Sequence, residues 1–436
     1  MPVCHDVPVH DLIGVGFGPS NLALAIAVSE LDDRTDAAVS AHFLERQPRF
    51  GWHRGMLIED ATMQVSFLKD LVTMRNPVSE FSFLAYLHER GRLVDFINHK
   101  RLFPLRVEFH DYLEWAAAGV DHLVSYGSEV VAVTPVADLF HVRLADGRVF
   151  HGRNVVLATG LRPRLPEGIA CTDRIWHNHE LLHRIEELTD PARCVVVGSG
   201  QSAAEVTAFL HDRFPAADVC SVFTRYGYSP SDDSPFANRI FDPDGVDAFY
   251  SAPTQVKRQL MDYHGNTNYS VVDLDLIDDL YHRCYREKVG GEQRLRIFNA
   301  SRITEVVDSG DGVRVVVESL TSGEKTVLDA DVVVYSTGYL PADPAPLLGD
   351  LAQHCHTDEQ GRWRIERDYR LSLPDSIGGV YLQGGTEHSH GITASLLSAT
   401  AVRAGEILRS ILDRRDVDAQ RRGDSAVDGA RNEANR

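Results

Sequence analysis

Gly14, Gly16 and Gly18 lie in DLIGVGFGPSN, where a short apolar strand runs into a glycine-rich turn and LALAIAVSEL continues as a helix. Such a turn suits a diphosphate, because glycine lets the backbone come close and the N–H groups opening the helix stabilise the negative charge. Here Gly14 is expected to allow the tight turn and Gly16 the close approach. The spacing departs from GxGxxG, since Gly18 is followed by Pro19, with Asn21 as a polar group at the helix start. A second apolar strand, AHFLERQ, ends at Glu45, whose carboxylate can accept hydrogen bonds from ribose hydroxyls, so this unit reads as an FAD site. The same order recurs from Arg193 in CVVVGSGQSAAEVTAFLHD, where Gly198, Gly200 and Ala203 match GxGxxA. The following strand, VCSVFTR, ends at Arg225. A guanidinium there pairs with the 2′-phosphate of NADPH, which a carboxylate would repel; a solvated turn arginine is the alternative. One flavin site and one NADPH site imply an NADPH-driven flavoenzyme. The six cysteines form no CxxC pair to relay electrons and no zinc-ligand spacing, which leaves O2 as the expected acceptor and no metal.

Holding two such turns requires two units of parallel strands and covering helices. The fold class expected of the 436 residues is therefore α/β, with two Rossmann-like dinucleotide-binding domains, for FAD and NADPH, and a small inserted substrate domain. Residues 1–165 and 336–412 are assigned to the FAD domain and 190–335 to the NADPH domain. The apolar runs VVLATG, ending at Gly160, and VVVYSTG, ending at Gly338, mark the crossings between them. Segments 50–106 and 226–285 are rich in aromatics, Asn and Pro without strand–helix alternation and read as insertions lining a pocket. The polar stretch 414–436 reads as a disordered tail. A formal charge of -19 argues against nucleic-acid and anionic-membrane partners. No apolar run approaches the roughly 18–20 residues of a membrane span, and the first residues lack the layout of a secretory signal, so a cytoplasmic enzyme is expected.

Longer motifs narrow the reading. The stretch WHRGMLIEDATMQVSFLKDLVTMRNPVSEFSFLAYLHERGRL, Trp52 to Leu93, resembles the microbial N-hydroxylating flavoprotein monooxygenases, the L-ornithine N5- and L-lysine N6-monooxygenase family, nearest to actinobacterial ornithine hydroxylases. The likeness extends through GFGPSNLALA, FPLRVEFHDYLEWAA, VVVGSGQSAAE, DDSPFANRIFDP, NTNYSVVD and TEHSHGITASLLSATAVRAGEI. It implies hydroxylation of the side-chain amine of L-ornithine with NADPH and O2 through a C4a-hydroperoxyflavin, for a siderophore or a nonribosomal peptide. L-Lysine is the alternative substrate; a diamine, or a catalytically silent NADPH-binding regulator, stands further off. The family likeness also implies a homo-oligomer, commonly a tetramer.

By motif, the resemblance places Lys69 of SFLKDL and Asn238 of SPFAN at the substrate's side-chain amine. It places Asn268 of TNYS and Ser398 of SLLS at its amino-acid end. Gln64 and Arg106 are to lie beside the flavin ring and the nicotinamide nucleotide, and Gln201 and Ser202 against NADPH; segment 386–400 joins the pocket. The residue types suit the chemistry on their own terms. An alkyl ammonium has no lone pair to attack an oxygen, and freeing one at pH 7 costs about 4.6 kcal/mol on the lysine scale. A charged Lys69 would repel the ammonium form, and the Asn238 amide can accept a hydrogen bond from the neutral amine. His53, His88 and His390 have no metal-like spacing and are read as structural.

Overall fold

Leu12–Val15 is buried along its whole length and takes a parallel neighbour on each side, which makes it the axis of the first unit. A computed structural model describes residues 8–32, 39–374 and 378–415. In it the first sheet runs Gly379–Leu382, Asn154–Leu157, Leu12–Val15, Ala41–Leu44, Val124–Ser125, all parallel. Strands covered on both faces must be almost wholly apolar, hence the runs LIGV, GVYL and NVVL, the last opening on an Asn154 that donates to the Asp11 carbonyl. One face packs on helices Pro19–Asp32, Arg106–Gly119 and 400–415, through Leu22, Ile26, Phe109, Leu113, Ile407 and Ile411. The other meets a four-stranded sheet of Val9–His10, Val149–Gly152, Leu139–Leu144 and Val130–Val136, through Phe140 and Val142.

The second unit repeats the plan. Its parallel sheet runs Ile175–His177, Val332–Tyr335, Arg193–Val197, Asp218–Val222, Leu295–Phe298. Helices Gln201–Arg213 and Leu274–Gly290 cover one face, and a three-stranded antiparallel sheet, Ser301–Asp308, Val313–Ser319 and Lys325–Ala330, the other. The edge strand Ile175–His177 lies ahead of residue 190, where the sequence placed the start of this unit. Helix Leu274–Gly290 packs on this sheet through Leu280, so it belongs to the NADPH unit and the insertion is shorter than 226–285. Leu161–Pro163 leaves the first sheet and pairs antiparallel with Tyr339–Pro341, which leaves the second, so the two crossings form one ribbon.

The insertions carry short helices, Phe83–Glu89 and Leu93–His99 in one, Pro243–Ser251 and Thr254–His264 in the other. Residues 414 and 415 of the expected tail are the last two of helix 400–415; the remainder, 416–436, lies outside the described residues. The antiparallel sheets went unnoticed in the sequence because their strands bury one face only, and alternation such as that of Ser301–Asp308 lacks the unbroken apolar signature of the parallel strands. Among the described residues no helix is long and apolar enough to cross a membrane, and no cluster of His, Cys, Asp and Glu could hold a metal ion.

Both turns rest on one backbone contact. Gly16 has φ +83°, and a Cβ there would lie 2.5 Å from the carbonyl oxygen of Ala158, just past the neighbouring strand. Gly198 has φ +142°, and its Cβ would lie 2.3 Å from the carbonyl oxygen of Ser336, again just past the neighbouring strand. Gly14, expected to make the turn, instead lies inside its strand at ordinary φ, where a side chain would strike the Phe43 ring. Replacing Gly16→Ala should therefore cost about 1–2 kcal/mol in backbone strain, with the steric clash added, and empty the flavin site. The ratio of absorbance at 450 nm to that at 280 nm in purified protein measures it; a fully flavinylated variant would refute this account of the turn.

Candidate active site

The first turn is braced from three directions. Glu45, just past its strand and 6% exposed, accepts from the backbone N–H of Phe17 at 2.6 Å and of Gln47 at 2.8 Å. Its carboxylate thus fixes the loop after Gly16 while retaining lone pairs for a ribose hydroxyl. Asn21, fully buried, donates to the Gly16 carbonyl at 2.7 Å, and Gln383 donates to the Ser20 carbonyl and to Asn21 Oδ1. Pro19 opens the helix, where a missing N–H costs nothing, and the space beside Gly18 is open. Close approach at Gly16, open space at Gly18, a helix start and a ribose-reading carboxylate together fit the diphosphate and ribose of FAD.

In the second turn Gly200 caps helix Gln201–Arg213 and buried Ala203 packs below Gly198. Gln201 accepts from the Asp273 N–H at 2.8 Å and donates to Glu205 at 3.0 Å, while Ser202 stands half-exposed beside it on the first turn of the helix. The strand before Arg225 ends at Val222, three residues earlier than expected, because the chain then turns out of the sheet. Arg225 is exposed in the loop that follows, and its Nη1 donates to the Ser270 carbonyl at 2.8 Å and to Ser229 Oγ at 3.3 Å.

Arg106 joins the two units. Its terminal nitrogens reach the two carboxylate oxygens of Glu205 at 2.9 and 2.7 Å, and it also donates to the carbonyls of Met56 and Thr62. The guanidinium fork is thus occupied by Glu205, on the helix of the second turn, with side chains only 13% and 5% exposed. Gln64, exposed, lies 3.4 Å from Asp273 Oδ2, so Gln64 from one unit and Gln201 from the other converge on Asp273.

The remaining expected residues gather at a second place. Lys69 projects from a turn held by buried Asp70, whose carboxylate accepts from the N–H groups of Val72, Thr73 and Phe83 and from the Thr73 hydroxyl. Beneath it, Phe67, Phe83, Tyr86, Phe96, Phe109 and Tyr112 form a continuous aromatic cluster. The half-buried ammonium of Lys69 stands 5.6 Å from the centre of the Phe241 ring. Burial lowers its pKa below the usual lysine value, against an opposing pull from Asp242. Asn238 lies in the same short helix as Phe241, Ala237–Phe241, its side-chain N–H2 donating to the Asp233 carbonyl at 2.7 Å. That helix packs against Ile392–Ser395, which brings it to segment 386–400.

Asn268 is exposed and bonds the hydroxyl of Tyr269, which in turn donates to Glu387 at 3.0 Å. Burial first, and then the Glu387 charge, push the Tyr269 pKa up. Ser398 is buried and its hydroxyl has no partner among the described residues, a group open to a ligand. Lys69, Asn238, Asn268 and Ser398 are thus carried by mutually packed segments, whereas Gln64 and Arg106 belong to the junction of the two units. His390, 1% exposed, stacks on Tyr369 and bonds the Arg367 carbonyl; burial holds its pKa at about 4, so it is a neutral packing group. Sequence reasoning missed Asp70, Glu205, Asp273 and Glu387. Only for Glu205 was there a local signal, its place one helical turn past Gln201.

Two parallel α/β units joined by a ribbon, each with a glycine turn at the carboxyl end of its axial strand, define a flavoprotein oxidoreductase with two dinucleotide-binding domains. Residues 8–341 match the family model described as L-lysine 6-monooxygenase/L-ornithine 5-monooxygenase. The chain is 41% identical over 423 residues to the L-ornithine N(5)-monooxygenase of Burkholderia cepacia, covering 92% of this chain and 94% of that one. Among solved structures it is similar to the Kutzneria sp. 744 ornithine N-hydroxylase with reduced FAD, NADP+ and L-ornithine, at 47% identity and a TM-score of 0.90, covering 94% and 100% of the two chains. To the L-lysine 6-monooxygenase of Pseudomonas syringae it is 33% identical, with a TM-score of 0.82 and coverage of 93% and 99%. The chain belongs to the L-lysine 6-monooxygenase/L-ornithine 5-monooxygenase family.

Removing one partner of the Arg106–Glu205 pair leaves the other buried and unmatched, which costs about 3–5 kcal/mol, whereas apolar replacement of both is often near neutral. Glu205→Leu should therefore lower the melting temperature sharply, and the double variant with Arg106→Leu should recover much of the loss. A double variant no more stable than Glu205→Leu alone would show that the two do not act as a pair.

Proposed function

We propose that this protein converts L-ornithine, NADPH and O2 into N5-hydroxy-L-ornithine as an FAD-dependent monooxygenase. The observation that supports the reading is the approach of Lys69 to the Asn238 helix and the packing of that helix on segment 386–400, which brings residues expected at the substrate together. FAD bound at the first turn supplies the chemistry, taking a hydride from NADPH and activating O2. The chain's own residues do the rest. Glu45 holds ribose, the Gly16 turn receives the diphosphate, and Gln201, Ser202 and Arg225 receive NADPH, with Arg225 at the 2′-phosphate. Gln64, held at Asp273, borders the place where nicotinamide meets flavin, and Arg106 fixes that geometry through Glu205.

Asn268 and the unpartnered hydroxyl of Ser398 receive the amino-acid end of ornithine. Asn238 accepts a hydrogen bond from the neutral amine, and Lys69 disfavours its protonated form. A diamine would leave the amino-acid contacts unused. L-Lysine is the alternative substrate, one methylene longer, a difference worth about 1–3 kcal/mol in a fitted pocket. We place the enzyme in the cytoplasm as a homo-oligomer, feeding a siderophore or a nonribosomal peptide. Hydroxylamine formation from ornithine, lysine and putrescine tests the assignment, and lysine as the better substrate would reverse it.

Lys69→Met keeps the apolar stem and removes the charge, so flavin binding and NADPH oxidation should continue. Hydroxylated ornithine per NADPH should fall by about ten-fold or more, with H2O2 released instead and partial recovery at raised pH. Unchanged coupling with a raised KM for ornithine alone would move Lys69 to the carboxylate end of the substrate. For Arg225→Ala the expected loss is about 10- to 100-fold in the preference for NADPH over NADH, the value of a charge-assisted contact. An unchanged ratio of kcat/KM values would make Arg225 a loop residue held by Ser270.

A further inference from the structure

Arg403 lies in helix 400–415 and is 2% exposed, one of the largest fully buried side chains among the described residues. Its hydrogen-bond partners among the described residues are all neutral. Nη1 donates to the carbonyls of Thr393 and Ala394 at 3.3 and 2.9 Å, Nη2 to Ser20 Oγ and Thr400 Oγ1 at 3.3 and 3.2 Å, and Nε to Gln383 Oε1 at 3.5 Å. Glu406, one turn further along the helix, commits both of its oxygens to Arg367, at 3.0 and 2.9 Å. Neutral acceptors satisfy the N–H groups but give the cation no ion pair of its own, the nearby Glu406 charge being shared with Arg367, and a buried charge without a full counter-charge is unfavourable unless an anion arrives.

The place where it is buried indicates the anion. Ser20 is the second residue of helix Pro19–Asp32, immediately behind the first glycine turn. A guanidinium has donors only, so Gln383 must turn its oxygen to Arg403 and its N–H2 toward Ser20 and Asn21. Those bonds, at 3.1 and 2.9 Å, agree with Asn21, whose Oδ1 accepts from Gln383 while its N–H2 donates to the Gly16 carbonyl at 2.7 Å. The hydrogen bonds therefore run in one consistent sense from the buried cation to Gly16, where the acceptor-only backbone carbonyl completes the chain.

We propose that Arg403 is the buried counter-charge of the FAD diphosphate, a positioning residue that acts on the first glycine turn from behind through Ser20, Gln383 and Asn21. The inference rests on FAD occupying that turn. Because water and salt do not reach the guanidinium, its attraction for the diphosphate is little screened. The test compares full-length wild type, Arg403→Met and Arg403→Lys, stripped of flavin and titrated with FAD, by flavin fluorescence and by melting with and without FAD. Arg403→Met should bind FAD at least ten-fold more weakly, and the rise in melting temperature on adding FAD should shrink. Arg403→Lys should stay within about three-fold of wild type, with the 31P resonances of its bound FAD displaced. Arg403→Met that binds FAD as wild type does, or that lowers both melting temperatures equally at unchanged affinity, overturns the proposal and leaves Arg403 a packing group. Should Arg403→Met not fold, Arg403→Lys decides, since 31P resonances coincident with wild type overturn it. Wild type that takes up no FAD overturns the cofactor reading as well, and so is told apart from failure of the arginine alone.

Discussion

The close backbone contact between each glycine turn and the chain leaving the next parallel strand is the constraint on which the site depends. Gly16 against the Ala158 carbonyl and Gly198 against the Ser336 carbonyl are the same contact made twice. It is available only at the carboxyl ends of adjacent parallel strands, and parallel strands must be buried on both faces. From that requirement follow the covering helices on one side of each sheet, the small antiparallel sheets on the other, and the unbroken apolar strands between. The turn is also where a nucleotide can come near a helix start, so one contact serves both the fold and cofactor binding.

Two such units yield an enzyme only if their turns face one another at a fixed distance. The Leu161–Pro163 and Tyr339–Pro341 ribbon joins them in the chain, and the bidentate Arg106–Glu205 pair joins them through side chains at the start of one helix and the second turn of another. Because Gln201 also bonds Glu205, and Asp273 bonds both Gln201 and Gln64, the ion pair is continuous with a polar network between the nucleotide sites. A shift of either unit would break charge-assisted bonds in a setting with little water to replace them. This is a reason for the pair to be ionic and two-pronged instead of apolar.

The substrate segments are positioned differently, by packing and by local polar locks. The Asp70 carboxylate gathers four donors and so fixes the turn that aims Lys69 toward Phe241. The aromatic cluster beneath keeps that turn from sinking. On the opposite side the Tyr269–Glu387 bond ties the Asn268 loop to segment 386–400. The residues expected at the substrate thus lie on short, irregular stretches more than 300 residues apart in the chain, held together by contacts such as these.

By itself the sequence determined the two parallel units, the flavin and NADPH turns and the family, because those features reside in consecutive residues: apolar runs, glycine spacing and long motifs such as SFLKDL and TEHSHG. Glu45 drew notice for the same reason, its place at a strand end, and it proves to accept from the N–H of Phe17 in the first turn. Tertiary structure decided which glycine makes the turn, since Gly14 stays in the strand against the Phe43 ring whereas Gly16 turns at positive φ against the Ala158 carbonyl. It also decided that Arg106 is matched by Glu205, 99 residues away, and that Arg403 reaches Ser20, 383 residues away. No local pattern encodes either pairing, because a charge is defined by what it faces, and what it faces is fixed only when distant segments pack.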